Sequence, residues 1–385
     1  MAPSVQTLVQ PCPVTPKDYI DYSVNTADTA SDASVLPSVP DYLKALPARH
    51  LEPLWSRMDA MVPRTPNPVA KPYIWKYKST LPLLSAAGKL VPEEEAERRV
   101  LMLVNPSMSK SNETTIRPIH FVFLNYDMMH LAAPISGGML TKFQCADAPH
   151  TTDTIYAGLQ LVNPGETAPA HRHTAYACRF IISGEGFTAV EGKKMPLIRG
   201  DVVVTPSWHW HDHGNESKNP VIWLDALNLP LFTYARVHFA ENYAASRYPS
   251  TLGSFCEWRH PWETTQRALD AMPGPHVTYH YKTTDGNALS TTLGVQAERV
   301  NAGVTTEIMQ DTSSFIYHCY EGKGYSVIES SVGATEKLSW ETGDTFAVPA
   351  WSKVQHVNEG AGAAYLVAVH DGPFLDRLGL KGHPN

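Results

Sequence analysis

The sequence predicts an all-β protein that contains two copies of one barrel. From Ile155 onward, short apolar or alternating runs such as IYAGLQLV, DVVVTP and PVIWLDAL are separated by Gly, Pro and Asn, as in β-barrels and sandwiches. Residues 199–217, RGDVVVTPSWHWHDHGNES, recur as residues 342–360, TGDTFAVPAWSKVQHVNEG. Gly200 matches Gly343 at an offset of 143 residues. A repeat of this length indicates duplication of one structural unit.

The hairpins that precede these two segments also match. RFIISGEGFTAVEG, which begins at Arg179, aligns with YHCYEGKGYSVIES, which begins at Tyr317, at an offset of 138 residues. The difference from the first offset is five residues (143 − 138) and falls in a hairpin loop, where insertions cost little free energy. The two matches together predict two copies of one β-barrel unit.

The chain divides by composition into successive segments. Residues 1–35 are rich in Thr, Ser, Ala, Asp and Pro, and we expect them to be disordered. Residues 36–108 contain apolar side chains at helical spacing and are predicted to be partly helical. We assign residues 154–245 to an N-terminal barrel and residues 246–385 to a C-terminal barrel.

Composition excludes several classes of protein. The net charge is −7 and no run of Lys or Arg occurs, so nucleic acid is not an expected partner. The five cysteines are scattered, which argues against a disulfide framework or a zinc ribbon. Residues 119–143 are the most apolar stretch, but polar and charged side chains interrupt it, so it is a poor membrane span. With no signal-peptide pattern at the N-terminus, a cytoplasmic location is expected.

A histidine cluster in the first copy predicts a metal site. His171 and His173 are separated by one residue, so on a strand both imidazoles face the same side. His211 lies in the second hairpin, with His209 and His213 beside it. Imidazole is the commonest ligand of iron, copper, nickel and zinc. A single buried histidine is usually structural, but this grouping favours metal binding.

These residues fit the two motifs of the cupin family. The first motif is represented by Gly165, His171 and His173, and the second by Gly200, Pro206, His211 and Asn215. Many cupins carry a Glu ligand four or five residues after the HxH pair, where this chain has Ala177 and Cys178. With this departure, AGLQLVNPGETAPAHRHT and TPSWHWHDHGNES resemble the gentisate 1,2-dioxygenase family and its salicylate and 1-hydroxy-2-naphthoate relatives. The resemblance covers about residues 54–380.

The resemblance implies a bicupin, two double-stranded β-helix (jelly-roll) barrels after a partly helical N-terminal segment. It implies that His171, His173 and His211 hold one Fe(II) and that the enzyme is an oxidoreductase that cleaves a 2-hydroxybenzoate with O2. Gentisate, which would give maleylpyruvate, is the substrate favoured, with salicylate and 1-hydroxy-2-naphthoate as alternatives. Three neutral imidazoles leave Fe(II) open sites for a chelating substrate and for O2. Bicupin relatives are commonly homo-oligomers, often tetramers.

Three further residues are predicted to take part in catalysis. Arg179 lies six residues after His173, on the same face, and its guanidinium suits the substrate carboxylate or a superoxide. His213 shares a face with His211 if the strand is regular, and we assign it as proton acceptor or donor at the ring hydroxyl. Asp225 would orient Arg179 or His213. A buried Asp–Arg pair is also a common scaffold element.

Three other residues are predicted to bind the substrate. Gln160, in AGLQLV, would hydrogen-bond the substrate or an intermediate, and Tyr156 would pack on the aromatic ring. Arg99, in AERRVLML, would clamp the carboxylate from the N-terminal segment. Each has a structural alternative: Tyr156 could be plain core, and Arg98 and Arg99 could be solvated helix charges.

The second barrel is predicted to hold no metal. Met309 and Asp311 stand at the positions of His171 and His173, and Val354 stands at that of His211. His356 matches His213. An alternative ligand set in this barrel is Asp311, His318 and His356.

Residues 109–153 are an atypical insertion of about 45 residues relative to the family pattern. They could form a lid or an oligomer contact, or be a non-native insertion. Two other classes of protein remain alternatives on sequence grounds. One is a non-enzymatic bicupin that binds or stores a ligand. The other is a different bicupin enzyme, such as an oxalate decarboxylase or a sugar-phosphate isomerase, which would use the Glu ligand absent here.

Overall fold

A computed structural model describes residues 39–96, 98–108, 150–253 and 256–382. The predicted disordered segment, 1–35, and residues 109–149 of the predicted insertion lie outside the described residues. The chain forms two units, residues 1–64 and 65–385. The described part of the first unit is helical, with α1 (Val39–Ala45), two short 3-10 turns and α2 (Met58–Met61).

The second unit is mostly β-structure, as predicted. Its helices are α3 (Tyr77–Leu90), α4 (Glu93–Ala96), α5 (Leu229–Ala235), α6 (Trp262–Ala271) and α7 (Gly372–Arg377). Its strands are β1 (Tyr73–Trp75), β2 (Val100–Met102), β3 (Tyr156–Val162), β4 (Thr167–His173), β5 (Ala177–Ser183), β6 (Gly186–Val190), β7 (Lys193–Leu197), β8 (Val202–Thr205), β9 (His211–Gly214), β10 (Val221–Leu227), β11 (Ala240–Asn242), β12 (Thr251–Leu252), β13 (Arg259–His260), β14 (His276–His280), β15 (Gly294–Val300), β16 (Phe315–Glu321), β17 (Lys323–Glu329), β18 (Thr335–Glu341), β19 (Thr345–Val348), β20 (Lys353–Asn358) and β21 (Ala364–His370).

The strands form two barrels, each built from two facing sheets. In the first barrel the strand orders are β13-β8-β5-β10-β3-β2 and β11-β4-β9-β6-β7-β12. In the second they are β1-β19-β16-β21-β15-β14 and β18-β17-β20. Pairing is antiparallel except between β12 and β7. The predicted all-β, two-barrel architecture is confirmed.

Two details of the strand order differ from the boundaries drawn on the sequence. β12 and β13 pair with β7 and β8, so the sheets of the first barrel extend to His260 rather than ending at residue 245. β1 comes from the N-terminal segment but pairs with β19 in the second barrel. Strands of two or three residues carry too few side chains for an alternating pattern, so the sequence could not reveal them.

Successive side chains on a strand point to opposite faces of the sheet. The apolar ones therefore pack in two places, between the two barrels and inside a barrel. On β5, Phe180 joins a cluster with Ile316 and Val367 of the second barrel, so the two barrels pack against each other through their outer sheet faces. The next residue, Ile181, points inward and packs with Trp223 inside the first barrel. Every second residue of a strand faces the inside of the barrel, and polar residues occupy those inward positions that apolar residues do not.

The repeated glycines and asparagines have the same structural role in both barrels. Gly200 and Gly343 have φ of 90° and 95°, where a side chain would be strained. A Cβ at Gly200 would also lie 2.6 Å from Trp262. The Nδ2 groups of Asn215 and Asn358 each donate to one backbone carbonyl in the following loop and to another at the end of β3 or β15. The repeat therefore preserves turn geometry, which explains why it was visible in the sequence.

Among the described residues, no helix is both long and apolar enough to cross a membrane.

Candidate metal centre

Three histidines converge inside the first barrel. β4 carries His171 and His173, β9 carries His211, and His171 lies directly opposite His211 in the antiparallel pair. One ring nitrogen from each imidazole lies within 4.8 Å of the others. His211 and His171 are buried, and His173 is half-buried. The i, i+2 spacing therefore places both side chains of the HxH pair on the inner face, as predicted.

Backbone carbonyls contact the same ring nitrogen, Nδ1, in all three histidines. The Nδ1 atoms of His171 and His173 lie 2.8 Å from the carbonyl oxygens of Pro169 and Ala175. His211 Nδ1 lies 2.9 Å from the carbonyl oxygen of His209. A carbonyl only accepts hydrogen bonds, so each neutral ring carries its proton on Nδ1 and presents the Nε2 lone pair. Among the described residues, the buried His211 Nε2 has no hydrogen-bond partner.

Burial keeps these imidazoles in the form that binds a metal. Desolvation, followed by the charge of Arg98, lowers the pKa of His171 to about 2. Desolvation, followed by the charge of Arg179, lowers the pKa of His173 to about 4, and burial holds the pKa of His211 well below its ordinary value. Neutral rings with convergent Nε2 lone pairs fit a divalent transition metal. No other group of three His, Cys, Asp or Glu side chains converges in this way in the described part of the chain.

Arg179 and Asp225 form a buried ion pair in the same barrel. They are cross-strand neighbours on β5 and β10, with 3.0 Å between Nε and Oδ1. Arg179 Nη1 donates to Thr205 Oγ1 at 2.6 Å, and Trp223 Nε1 donates to Asp225 Oδ2 at 3.0 Å. Of the two partners predicted for Asp225, the structure places Arg179 beside it. These contacts fix the position of the guanidinium, and burial, followed by the charge of Arg179, lowers the pKa of His173 and His213.

His213 lies on β9 beyond His211, also buried. The ring centroids of the two histidines are 5.6 Å apart. His213 Nδ1 lies 2.8 Å from Thr188 Oγ1. A hydroxyl can donate or accept, so this contact does not restrict His213 to one tautomer, unlike the carbonyl contacts of the three other rings. Burial, followed by the charge of Arg179, keeps the pKa of His213 well below its ordinary value, so the ring is neutral in the metal-free protein.

Gln160 and Tyr156 lie on β3, four residues apart and therefore on one face. Gln160 pairs across the sheet with Trp223, and its buried Nε2 has no hydrogen-bond partner among the described residues. Burial, followed by the negative charge of Asp225, raises the pKa of the Tyr156 hydroxyl above its ordinary value. An unpaired buried amide costs free energy, so Gln160 is suited to bind a polar group that enters the barrel.

Arg99 has a different partner from the one suggested by the sequence. It is buried, and its guanidinium makes hydrogen bonds of 2.6 and 2.9 Å to Glu166, and others to the carbonyl oxygen of Val91. These contacts tie the N-terminal segment to the loop before β4, a scaffold role rather than a substrate clamp. Arg98, its neighbour, lines a cavity together with His171. Both arginines precede β2, and the sequence does not say which of them faces the site.

A cavity of about 270 Å³ lies against one of the three histidines, His171, and we call it the mouth of the site. Besides Arg98 and His171, its lining includes Asn242, Tyr243 and Ser246. Asn242 ends β11, the edge strand that pairs with β4, and Tyr243 and Ser246 follow it. No motif marks this loop, so it was missed in the sequence. A larger cavity of about 750 Å³ elsewhere in this unit contains none of the predicted metal ligands.

The corresponding positions of the second barrel lack imidazoles. Met309 and Val354 pair across the strands as His171 and His211 do. His356 Nδ1 lies 2.7 Å from Ser326 Oγ. This contact reproduces the one between His213 Nδ1 and Thr188 Oγ1 in the first barrel.

The alternative ligand set Asp311, His318 and His356 is not brought together. His318 packs on Phe180 of the first barrel, with 5.1 Å between ring centroids. His356 lies inside the second barrel instead, with 4.8 Å between its ring centroid and that of Tyr317.

Known proteins share this sequence pattern. The family model of the cupin domain matches residues 158–227, which include all three histidines. A gentisate 1,2-dioxygenase from Ralstonia sp. is 30% identical over 371 residues, which cover 88% of this chain and 92% of the relative. Gentisate 1,2 dioxygenase 1 from Aquipseudomonas alcaligenes is 29% identical over 371 residues, which cover 88% and 94%.

The fold is shared as well. The crystal structure of a salicylate 1,2-dioxygenase from Pseudaminobacter salicylatoxidans matches with a TM-score of 0.72 at 26% identity, covering 90% of this chain and 97% of that one. The likeness therefore spans both barrels, and the predicted bicupin fold is confirmed. With the histidine cluster and the coverage of these relatives together, the chain belongs to the gentisate 1,2-dioxygenase family and is a ring-cleaving dioxygenase.

Proposed function

We propose that the protein is an Fe(II)-dependent dioxygenase that converts gentisate and O2 to maleylpyruvate. The observation that carries this proposal is a triad of neutral imidazoles, His171, His173 and His211, with no carboxylate among the ligands. When bound, Fe(II) would orient a chelating substrate and O2 and mediate electron transfer between them. Both oxygen atoms of O2 enter the product, so the reaction needs no other reductant.

Positive charge around the triad supports an anionic substrate. Arg98 lines the mouth with His171, and Arg179 lies deeper in the barrel. Because Asp225 and Thr205 already hold the guanidinium of Arg179, it is preorganised to receive a carboxylate. We therefore assign the substrate carboxylate to these two cations, and Arg98 takes the role first expected of Arg99.

His213 is proposed to exchange the proton of the ring hydroxyl. Its ring is neutral and buried beside His211, and the hydroxyl of Thr188 can adapt to either protonation state. Gln160 would donate a hydrogen bond to the substrate, because its Nε2 lacks a partner among the described residues. Tyr156, on the same strand face, would pack against the aromatic ring.

Salicylate is a second candidate substrate, and one observation favours it. The solved structure with a TM-score of 0.72 is a salicylate 1,2-dioxygenase. Gentisate carries a second hydroxyl para to the first, which makes its ring easier to oxidise. We therefore expect gentisate to react faster than salicylate. Turnover of 1-hydroxy-2-naphthoate should depend on whether the mouth of the site admits a second aromatic ring.

The test is oxygen uptake by protein loaded anaerobically with Fe(II). We expect gentisate to consume one O2 per ring cleaved and to yield maleylpyruvate, identified by mass spectrometry. Salicylate and 1-hydroxy-2-naphthoate should be measured in the same way. 4-Hydroxybenzoate, whose hydroxyl and carboxylate are too far apart to chelate one metal, is the negative control. Absence of uptake with every hydroxybenzoate in fully loaded protein would contradict the proposal.

Each chain is predicted to bind one iron, in the first barrel. Met309 and Val354 replace two imidazoles in the second barrel; thioether is a poor ligand for Fe(II) and Val has no lone pair. Metal analysis of reconstituted protein should give one iron per chain, and His356→Ala should leave that value unchanged. A reproducible value of two, or iron loss in His356→Ala, would show that the second barrel also binds metal.

The homotetramer and the cytoplasmic location expected from the sequence stay predictions. Sedimentation velocity of the purified protein would measure its oligomeric state.

A further inference from the structure

Arg172 lies between two of the proposed ligands but faces away from them. Its guanidinium carbon is 4.5 Å from the ring centroid of Trp208 and 4.4 Å from that of Trp210, so the two indoles enclose it. Its Nε and Nη2 donate to Glu241 Oε2 at 2.9 and 2.6 Å. We call Arg172, Trp208, Trp210 and Glu241 the outer clamp. None of its members has a role in the proposed chemistry.

The strand that the outer clamp holds is irregular at this point. Ala168 pairs with His213 and His171 pairs with His211, so three steps on β4 (171 − 168) oppose two on β9 (213 − 211). This is a β-bulge with one extra residue on β4. A slip of one residue moves every side chain of a strand to the other face. A contact outside the ladder that holds β4 at this point therefore also fixes the face on which His171 and His173 lie.

The outer clamp joins the elements that carry the three ligands. Trp208 and Trp210 flank His209 in the turn that leads into His211, and the carbonyl of His209 orients the His211 ring. Trp208 has φ of 63°, an uncommon conformation for this residue, and its N–H donates to the carbonyl of His173 at 2.8 Å. Arg172 thus ties the middle of β4 to the turn before β9, and Glu241 adds the edge strand β11.

The second barrel has the same turn, but it lacks the sandwich of an arginine between two indoles. Gln310 is equivalent to Arg172, and Trp351, with φ of 61°, is equivalent to Trp208. Gln310 Nε2 donates to the carbonyl oxygen of Trp351 at 2.8 Å. The turn therefore forms without an arginine between two indoles. The sandwich is present in the barrel where three imidazoles must meet and absent from the equivalent position of the other.

We propose that Arg172 is a positioning residue that keeps the Nε2 atoms of His171, His173 and His211 converged by fastening β4 to the turn before β9. This inference rests on the ligand set of the proposed function, but not on the identity of the substrate. A flat guanidinium can stack on both indoles while it pairs with Glu241, which neither Lys nor Gln can do. Loss of this contact loosens the arrangement of ligands rather than removing one.

The test compares metal binding by wild type, Arg172→Ala and Arg172→Lys, with Gln310→Ala as the matched control. Co(II) and anaerobic Fe(II) are titrated separately, and the Co(II) absorption spectrum reports the ligand geometry. Groups that hydrogen-bond the ligating side chains typically change metal affinity by about 10- to 100-fold, and Arg172 acts on three ligands at once through their backbone. We expect a loss in that range and an altered Co(II) spectrum for Arg172→Ala, a smaller loss for Arg172→Lys, and wild-type affinity for Gln310→Ala.

Wild-type affinity and an unchanged Co(II) spectrum in folded Arg172→Ala would overturn the proposal. Folding is checked by circular dichroism and thermal unfolding of the metal-free proteins. If Arg172→Ala does not fold, Arg172→Lys decides: a several-fold loss supports the proposal and wild-type affinity overturns it. Oxygen uptake by the wild type tests the proposed function independently, because the ratio of metal affinities does not depend on turnover.

Discussion

His211→Ala should abolish iron binding and turnover while leaving the barrel folded. His211 is fully buried, faces both His171 and His173, and has an Nε2 atom with no other partner among the described residues. Two imidazoles on one strand cannot hold the metal facially, so the loss should exceed the about 10- to 100-fold that outer contacts cost. Iron content after anaerobic reconstitution, followed by oxygen uptake with gentisate, checks this result.

His209→Ala is the matched control for that experiment. His209 lies two residues earlier and is half-buried, and its side chain is outside the cluster, although its carbonyl orients His211. The substitution removes an imidazole and keeps that carbonyl, so iron content should stay close to wild type. Wild-type iron in folded His211→Ala would show that the three-histidine site is wrong.

Arg179→Lys should reduce turnover by about 10- to 100-fold with iron retained. The lysine keeps the charge but loses the fork with which Arg179 reaches Asp225, Thr205 and, as proposed, the substrate carboxylate. Hydrogen bonds to charged groups contribute about 1.5–3 kcal/mol, and every 1.4 kcal/mol corresponds to a factor of ten. The measurement is kcat and KM for gentisate per bound iron, with thermal unfolding as the check on folding.

Arg259→Lys controls for the loss of any partly buried arginine in this barrel. Arg259 Nε pairs with Asp201 at 2.7 Å, a similar ion pair on β13. It is not among the residues close to the triad, so turnover per iron should be unchanged. Near-normal kinetics in Arg179→Lys would mean that Arg179 only supports the barrel.

Local patterns in the sequence were sufficient for the architecture and the metal ligands. The repeat of Gly200 and Gly343 marks turns whose positive φ admits few other residues, so the duplication remained visible after the rest had diverged. The spacing of His171 and His173 determines their common face, because side chains on a strand alternate with a period of two. The absence of the cupin Glu at Ala177 and Cys178 pointed to the three-histidine family.

The tertiary structure alone decided which partners meet across the chain. In the structure Arg99 pairs with Glu166, and Arg98 lines the mouth of the site. Which arginine takes which position depends on the directions of two adjacent side chains. It brought the loop after β11 to the rim of the site and the guanidinium of Arg172 between two indoles. Periodicity in a sequence reports the face on which a residue lies. The residue it meets depends on strand pairings between distant segments, which only the folded chain determines.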